Sequence, residues 1–149
     1  MLHIVMHTDI LESLLVSTHR LTRLAAQSTG SKTPSAQWRT LSILETDGPM
    51  RIGELAAASR VTQPGMTRLL ATMVEEELVT RIADRDDSRA WLIVVSKKGA
   101  AALTAWRAEL AETLEPWFGE LSADDWAALT AASAILESRL GQSTAAAAS

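Results

Sequence analysis

The sequence contains no cysteine and no tyrosine. Without cysteine there is no disulfide framework, no zinc–thiolate site and no thiol redox sensor. Aromatic residues make up 4% of the chain, five tryptophans and one phenylalanine. Histidine occurs only at His3, His7 and His19, all near the start, so a Ser-His-Asp triad or a zinc hydrolase centre has no histidine in the body of the chain to build on. There is no Gly-rich phosphate loop. No apolar run is long enough to span a bilayer. The opening "MLHIVMHTDI" lacks the basic n-region and cleavage site of a signal peptide. These absences lead to the expectation of a cytoplasmic protein that is not an enzyme and needs no cofactor. His3 and His7 have the i, i+4 spacing of a helical metal pair, but they stand in a start that reads as disordered, so no metal site is expected. Met6 is an alternative start.

What is present favours helices. Hydrophobic residues make up 47% of the chain, alanine is abundant, and there are only seven glycines and four prolines. The 149 residues suffice for one domain with a real core, or one domain with an extended assembly element. The formal charge of −4 argues at first against nucleic acid, but it is unevenly spread. Residues 100–149 hold two basic and seven acidic side chains; residues 51–99 hold eight basic and seven acidic. Three of the latter seven are the adjacent Glu75, Glu76 and Glu77, so the remainder of the middle segment is basic.

Leu11, Leu14, Leu15, Thr18, Leu21 and Ala25 recur at helical spacing and predict an amphipathic helix over 8–28. "TGSKTPS" (29–35) is a loop. A helix over 35–46 follows, with Trp38, Leu41, Ile43 and Leu44 inward, then the turn "DGP" (47–49) and a short helix over 51–58 carrying Ile52, Leu55 and Ala56. After "SRV" (59–61), Thr62 is a good N-cap and Pro64 fits the first turn of a helix whose buried stripe is Met66, Leu69, Leu70 and Met73. Val79–Ala83 and Trp91–Val95 read as two short strands, one face of the second packing on that helix. Ser96 caps a long helix that Pro116 should end or kink near Glu115. Ser122 caps the last helix, which runs to about Leu140. Gly141 stops it and leaves a frayed tail.

Two helices joined by a tight turn, the second followed by a β-hairpin, make a helix-turn-helix with a wing. The expected fold is mainly α with a small β-hairpin: a winged helix-turn-helix with flanking N- and C-terminal helices. Such a recognition helix meets the major groove with its N-terminal residues nearest the base edges. Thr62, Gln63, Pro64, Thr67 and Arg68 cluster there. Glutamine pairs bidentately with adenine and arginine with guanine or a phosphate, while Pro64 and Gly65 allow close approach to a thymine methyl. The bland alternative for the same residues is a solvated face. The hairpin, "RIADRDDSRAWLIVV", packs six charges between Arg81 and Arg89. The negative potential of a minor groove attracts an inserted arginine. Arg89 is the candidate groove contact, Asp87 its orienter through a charge-assisted pair, and Arg85 the second candidate, nearer the tip. Arg81 falls at the wing base, near a phosphate or Asp84. A salt-bridged, solvated tip is the alternative. Arg51, Arg60, Lys97 and Lys98 are candidate phosphate contacts, which position a protein without reading sequence.

"RIGELAAASRVTQPGMTRLLATMVEEELVTRIADRDDSRAWLIVVSKKGAAAL", together with "SAQWRTLSILETDGPMRIGELA" and "LSADDWAALTAASAILESRL", resembles the MarR family (multiple antibiotic resistance regulators) over roughly residues 8–140. The most specific part is Asp87-Ser88-Arg89 followed by alternating apolar residues, Ser96 and Gly99. The resemblance implies a homodimer built from the first and last helices, binding to pseudo-palindromic double-stranded DNA, and repression relieved by a small aromatic or phenolic effector. It implies an N-terminal arm and dimerisation helix (1–34), a winged DNA-binding lobe (35–99), C-terminal dimerisation helices (100–141) and a disordered tail (142–149). It also implies an effector site between dimerisation helices and lobe, with His19 and Arg23 as candidates to meet a carboxylate or phenolate and Trp38 as a ring to stack against. Two residues depart from the family's pattern. Ser88 stands where a second arginine is common, with Arg85 as its substitute, and Glu77 stands where glycine is common, so it would be mildly strained at positive φ. The competing reading is a protein-interaction winged helix that has lost DNA binding, supported by the overall acidity, Ser88 and the triple glutamate. Salt dependence of binding separates the two.

Overall fold

The computed structural model describes the backbone of residues 2–147 and the side chains of residues 7–141. Six helices and three strands follow one another: α1 (Leu2–Ser28), α2 (Ser35–Asp47), β1 (Met50–Arg51), α3 (Ile52–Ser59), α4 (Gln63–Glu75), β2 (Val79–Ala83), β3 (Trp91–Val95), α5 (Lys97–Phe118) and α6 (Ala123–Ala147). The chain forms two units. One takes in α1 and residues 106–120; the other takes in residues 32–105 and α6.

The core of the second unit follows from the helical periodicity. Leu41, Leu55, Met66, Leu70, Met73, Ile93 and Leu103 are fully buried, each contributing about 1.5–3 kcal/mol of transfer free energy. Trp38 and Leu44 join them from α2, while Ile43 and Leu69 are half-buried. Gln37, Thr40 and Ser59 are buried polar residues that the apolar pattern did not reveal.

The two-residue strand β1 was not legible in the sequence, because two residues show no alternation. It pairs antiparallel with β3 (Met50↔Ile93, Arg51↔Leu92), and β2 pairs with the other edge of β3, from Val79↔Val95 to Ala83↔Trp91. The sheet order β1-β3-β2 makes β3 the middle strand. β3 runs mainly against α2 and α3, while β2 runs alongside α4.

Two tight turns in the second unit use a left-handed residue that is not glycine. Arg60 (φ 56°) ends α3, and Glu77 (φ 61°) follows α4. At each, the amide after the turn reaches back to close the helix: Val61 N–H to Ala56 O (3.0 Å) and Leu78 N–H to Met73 O (2.9 Å). Both are Schellman closures. The strain expected at Glu77 is therefore present. Replacing Glu77 by glycine should raise stability by about 1 kcal/mol, because an L-residue in this region costs about 1–2 kcal/mol and its exposed contact with Lys98 contributes little. A urea midpoint that does not rise would count against the strain.

Ser96 joins this turn to α5. Its hydroxyl donates to Glu77 O (2.5 Å) and accepts the Gly99 N–H (2.9 Å), as the expected N-cap. Ser122 caps α6 through the Asp125 N–H (3.1 Å). Helix bounds differ from expectation by more than one residue in three places. α1 starts at Leu2 rather than Thr8. Pro116 lies within the last turn of α5, which ends at Phe118. Gly141 does not stop α6, which continues to Ala147; one internal glycine costs a helix only about 1 kcal/mol, and alanines follow. The side chain of His3 and the last two residues lie outside the described residues. Along α1, Leu11, Leu15 and Leu21 of the expected apolar stripe are exposed; so are Trp126, Leu129, Ile135 and Leu140 on α6.

Candidate nucleic-acid interface

α4 begins as the sequence requires. The Thr62 hydroxyl accepts the Gly65 N–H (3.2 Å), and Pro64 occupies the first turn, where a missing N–H leaves no carbonyl unsatisfied. Met66, Leu70 and Met73 point into the core, which turns Thr62, Gln63, Pro64, Thr67 and Arg68 outward; all five are exposed. The Thr67 hydroxyl donates back to Gln63 O (3.0 Å). Gln63 and Arg68 carry no side-chain hydrogen bond or ion pair among the described residues. The first two turns of α4 thus present one glutamine amide, one guanidinium and two short hydroxyl side chains.

The wing has a division of labour that charge counting did not reveal. Asp84 closes its base: its N–H donates to Ala90 O (3.1 Å), and its Oδ1 accepts the Asp86 N–H (3.0 Å). Its Oδ2 takes two guanidinium nitrogens of Arg51, at 2.8 and 2.7 Å. Asp87 folds the tip, where its Oδ1 accepts the Arg89 N–H (3.0 Å) and its carbonyl accepts the Ala90 N–H (3.0 Å). Asp87 therefore holds the backbone of Arg89; no pairing of the two side chains occurs among the described residues, in contrast to the expected orienting pair. The partner of Asp84 is Arg51, not Arg81. Arg85 and Arg89 are exposed and carry no ion pair among the described residues.

The Asp86 backbone N–H first, and the Arg51 guanidinium second, hold the Asp84 carboxyl below the usual carboxylate range, and Asp84 raises Arg51 in turn. A depressed folded-state pKa means the stabilisation is present above the ordinary carboxylate pKa and is lost as pH falls through the folded value. Acidification should therefore loosen the wing base. Amide exchange at Asp86, followed by NMR across the acid range, should show a protection step that Asp84→Asn abolishes. Equal pH profiles in the two proteins would sink the idea.

Among the other candidate phosphate contacts, Arg60 is the exposed left-handed residue after α3, and Lys97 is exposed at the start of α5. Lys98 reaches Glu77 Oε2 at 3.4 Å across an exposed pair. Arg51 keeps 43% of its side chain exposed while bound to Asp84. His19 and Arg23 are exposed on α1, and Trp38 is buried in the other unit. No cluster of metal-ligating side chains occurs among the described residues, and no described helix is long and apolar enough to cross a membrane.

The family model described as the MarR family matches residues 34–91, from the start of α2 to the first residue of β3. An uncharacterised HTH-type transcriptional regulator of Mycobacterium bovis is 33% identical over 109 residues, covering 68% of this chain and 76% of its own length. The chain belongs to the MarR family. Fold comparison agrees. A MarR family protein from Bacillus stearothermophilus superposes with a TM-score of 0.65 at 17% identity, over 91% of this chain and 95% of its own. Staphylococcus aureus MepR bound to ethidium bromide superposes at 0.56 with 20% identity, over 87% and 94%. This MarR-family chain is thus a winged-helix transcriptional regulator, a DNA-binding class of protein. Within it, β1, the Arg51–Asp84 tie and the exposure of Trp91 (55%) are the features that sequence reading missed. The signal for the tie was an arginine directly before α3 and an aspartate directly after β2, which only a third strand brings together.

Proposed function

We propose that this regulator is a homodimeric, ligand-responsive repressor. It sets α4 in the major groove and the wing in the adjacent minor groove of a pseudo-palindromic operator. One observation carries the reading: the wing carboxylates Asp84 and Asp87 are engaged by backbone amides and Arg51, which leaves Arg85 and Arg89 presented at the tip. An exposed, unpaired guanidinium on a hairpin is what a narrow groove of negative potential attracts. Gln63 and Arg68 supply the base-reading chemistry, with Thr62, Pro64 and Thr67 beside them. Arg51, Arg60, Lys97 and Lys98 are assigned to phosphates.

The homodimer is supported by the apolar side chains that α1 and α6 leave exposed, among them Leu11 and Leu15 on α1 and Ile135 and Leu140 on α6. Two copies would hold their α4 helices about 34 Å apart, one turn of DNA. The division into an assembly helix (1–34), a DNA-binding lobe (35–99) and C-terminal assembly helices (100–141) belongs to this proposal. Ligand response, to an aromatic or phenolic effector, is supported by the ethidium-bound neighbour.

The test is selection from a randomised duplex pool, then anisotropy on the enriched sequence at two salt concentrations. An inverted repeat with half-sites about 10 base pairs apart, bound less tightly as salt rises, is the expected result. Failure to enrich any duplex, with binding to a protein partner that ignores salt, would replace this reading with that of an interaction module.

A further inference from the structure

Side chains alternate between the two faces of a strand, so Trp91 and Ile93 share one face of β3. Ile93 is fully buried, yet Trp91 is 55% exposed. The difference lies in where the helices begin. Trp91 lines a shallow depression with Ile52, Gly53, Glu54, Gln63 and Ala90, at the first turns of α3 and α4. The two helix starts adjoin there: a Cβ placed on Gly53 would stand 3.6 Å from Gln63 Oε1. The Trp91 indole N–H has no hydrogen-bond partner among the described residues. The Glu54 carboxylate, the one acid on the rim, accepts the Arg51 backbone N–H (3.1 Å) and so caps α3.

The next step rests on the proposed placement of α4 in a major groove and the wing in the neighbouring minor groove. The wall between two adjacent grooves is one sugar-phosphate strand. The depression lies between the first residue of α4 and the base of the wing, so that strand must cross it. The local chemistry suits such an occupant. Two helix N-termini and Arg51 favour an anion, and an indole offers a flat apolar face together with one N–H donor. We propose that Trp91 is a DNA backbone contact: its ring packs on a deoxyribose and its Nε1–H donates to the adjoining phosphate oxygen. The contact fixes the spacing between the two groove readers, and nothing in the family pattern of the wing assigns it.

Trp91→Phe keeps a ring and loses the donor; Trp91→Ala loses both. Operator affinity should fall about tenfold for the first, the worth of one hydrogen bond to a charged group. It should fall about a hundredfold for the second, with the packing lost as well. The slope of log affinity against log salt should not change, because indole carries no charge. A methylphosphonate at the contacted phosphate should weaken wild type by a larger factor than Trp91→Phe, which keeps only the attraction of Arg51 and the helix starts for that phosphate. Wild-type tryptophan emission should also change on operator binding by more than that of Trp91→Phe. If both variants bind the operator within about twofold of wild type while Gln63→Ala loses it, Trp91 is no contact and the DNA reading stands. If wild type binds no duplex at all, the DNA reading itself fails and this inference falls with it.

Discussion

Gly99→Ala should lose about 3 kcal/mol of stability, the upper end of ordinary overpacking, or roughly 10 °C in Tm for a chain of this length. A Cβ at position 99 would stand 2.0 Å from the Leu78 carbonyl oxygen and 2.9 Å from its carbon, with Val95 Cγ1 at 3.2 Å. The crowded atoms are backbone, and they are not free to move. Leu78 O accepts the Ser96 N–H (3.1 Å), and Leu78 N–H closes α4. Relief would have to lift α5 from the start of β2 and break the Ser96 node. The control is Gly141→Ala, where a Cβ meets nothing within 4 Å; within α6 it should gain about 0.5–1 kcal/mol. Differential scanning calorimetry separates the two. A Gly99→Ala protein melting with wild type would show that the start of α5 is looser than its contacts say.

The double substitution Arg85→Ala with Arg89→Ala should lower operator affinity by about a hundredfold or more, taking each groove arginine at about 1–3 kcal/mol. It should leave Tm unchanged. Both guanidinia are exposed, and neither carries an ion pair among the described residues, so no folded-state interaction is removed. The salt slope should fall by about two, one for each released counterion. Asp87→Ala supplies the contrast. Its carboxylate holds the Arg89 amide, so its loss should weaken binding through disorder of the tip, with the salt slope kept. Affinity of the arginine double variant within about threefold of wild type would mean a solvated wing, worth little in either state.

The helices were legible because their signals are local. Thr62, Ser96 and Ser122 cap where their spacing to the apolar stripes places them, and Glu77 takes the left-handed turn that its position after α4 demands. Strand pairing is not local. β1 has two residues, and nothing in Met50-Arg51 points to β3, more than forty positions away. Once β1 is in place, three features follow together. β3 becomes the middle strand, Arg51 reaches Asp84, and Trp91 overhangs the helix starts. The wing failed in a different way. Alternating Arg and Asp invite pairing by sign, but the aspartates are better placed to accept the tip's own amides, which a short loop cannot satisfy otherwise. The apolar stripe of α1 was legible as a stripe, but periodicity identifies a face without saying what covers it, and Leu11, Leu15 and Leu21 are exposed.

The wing sets three arginines against three aspartates and so has no net charge. From beyond a Debye length it neither attracts DNA nor repels it, and the rest of the protein is acidic. Such a regulator is not drawn along the genome by a long-range field. If the wing grips DNA as proposed, discrimination would come from contacts made at short range, and affinity would depend on how long the protein stays rather than on how fast it arrives. On that reading occupancy would be a matter of residence time, and anything that loosened the tip would shorten it without competing for the DNA.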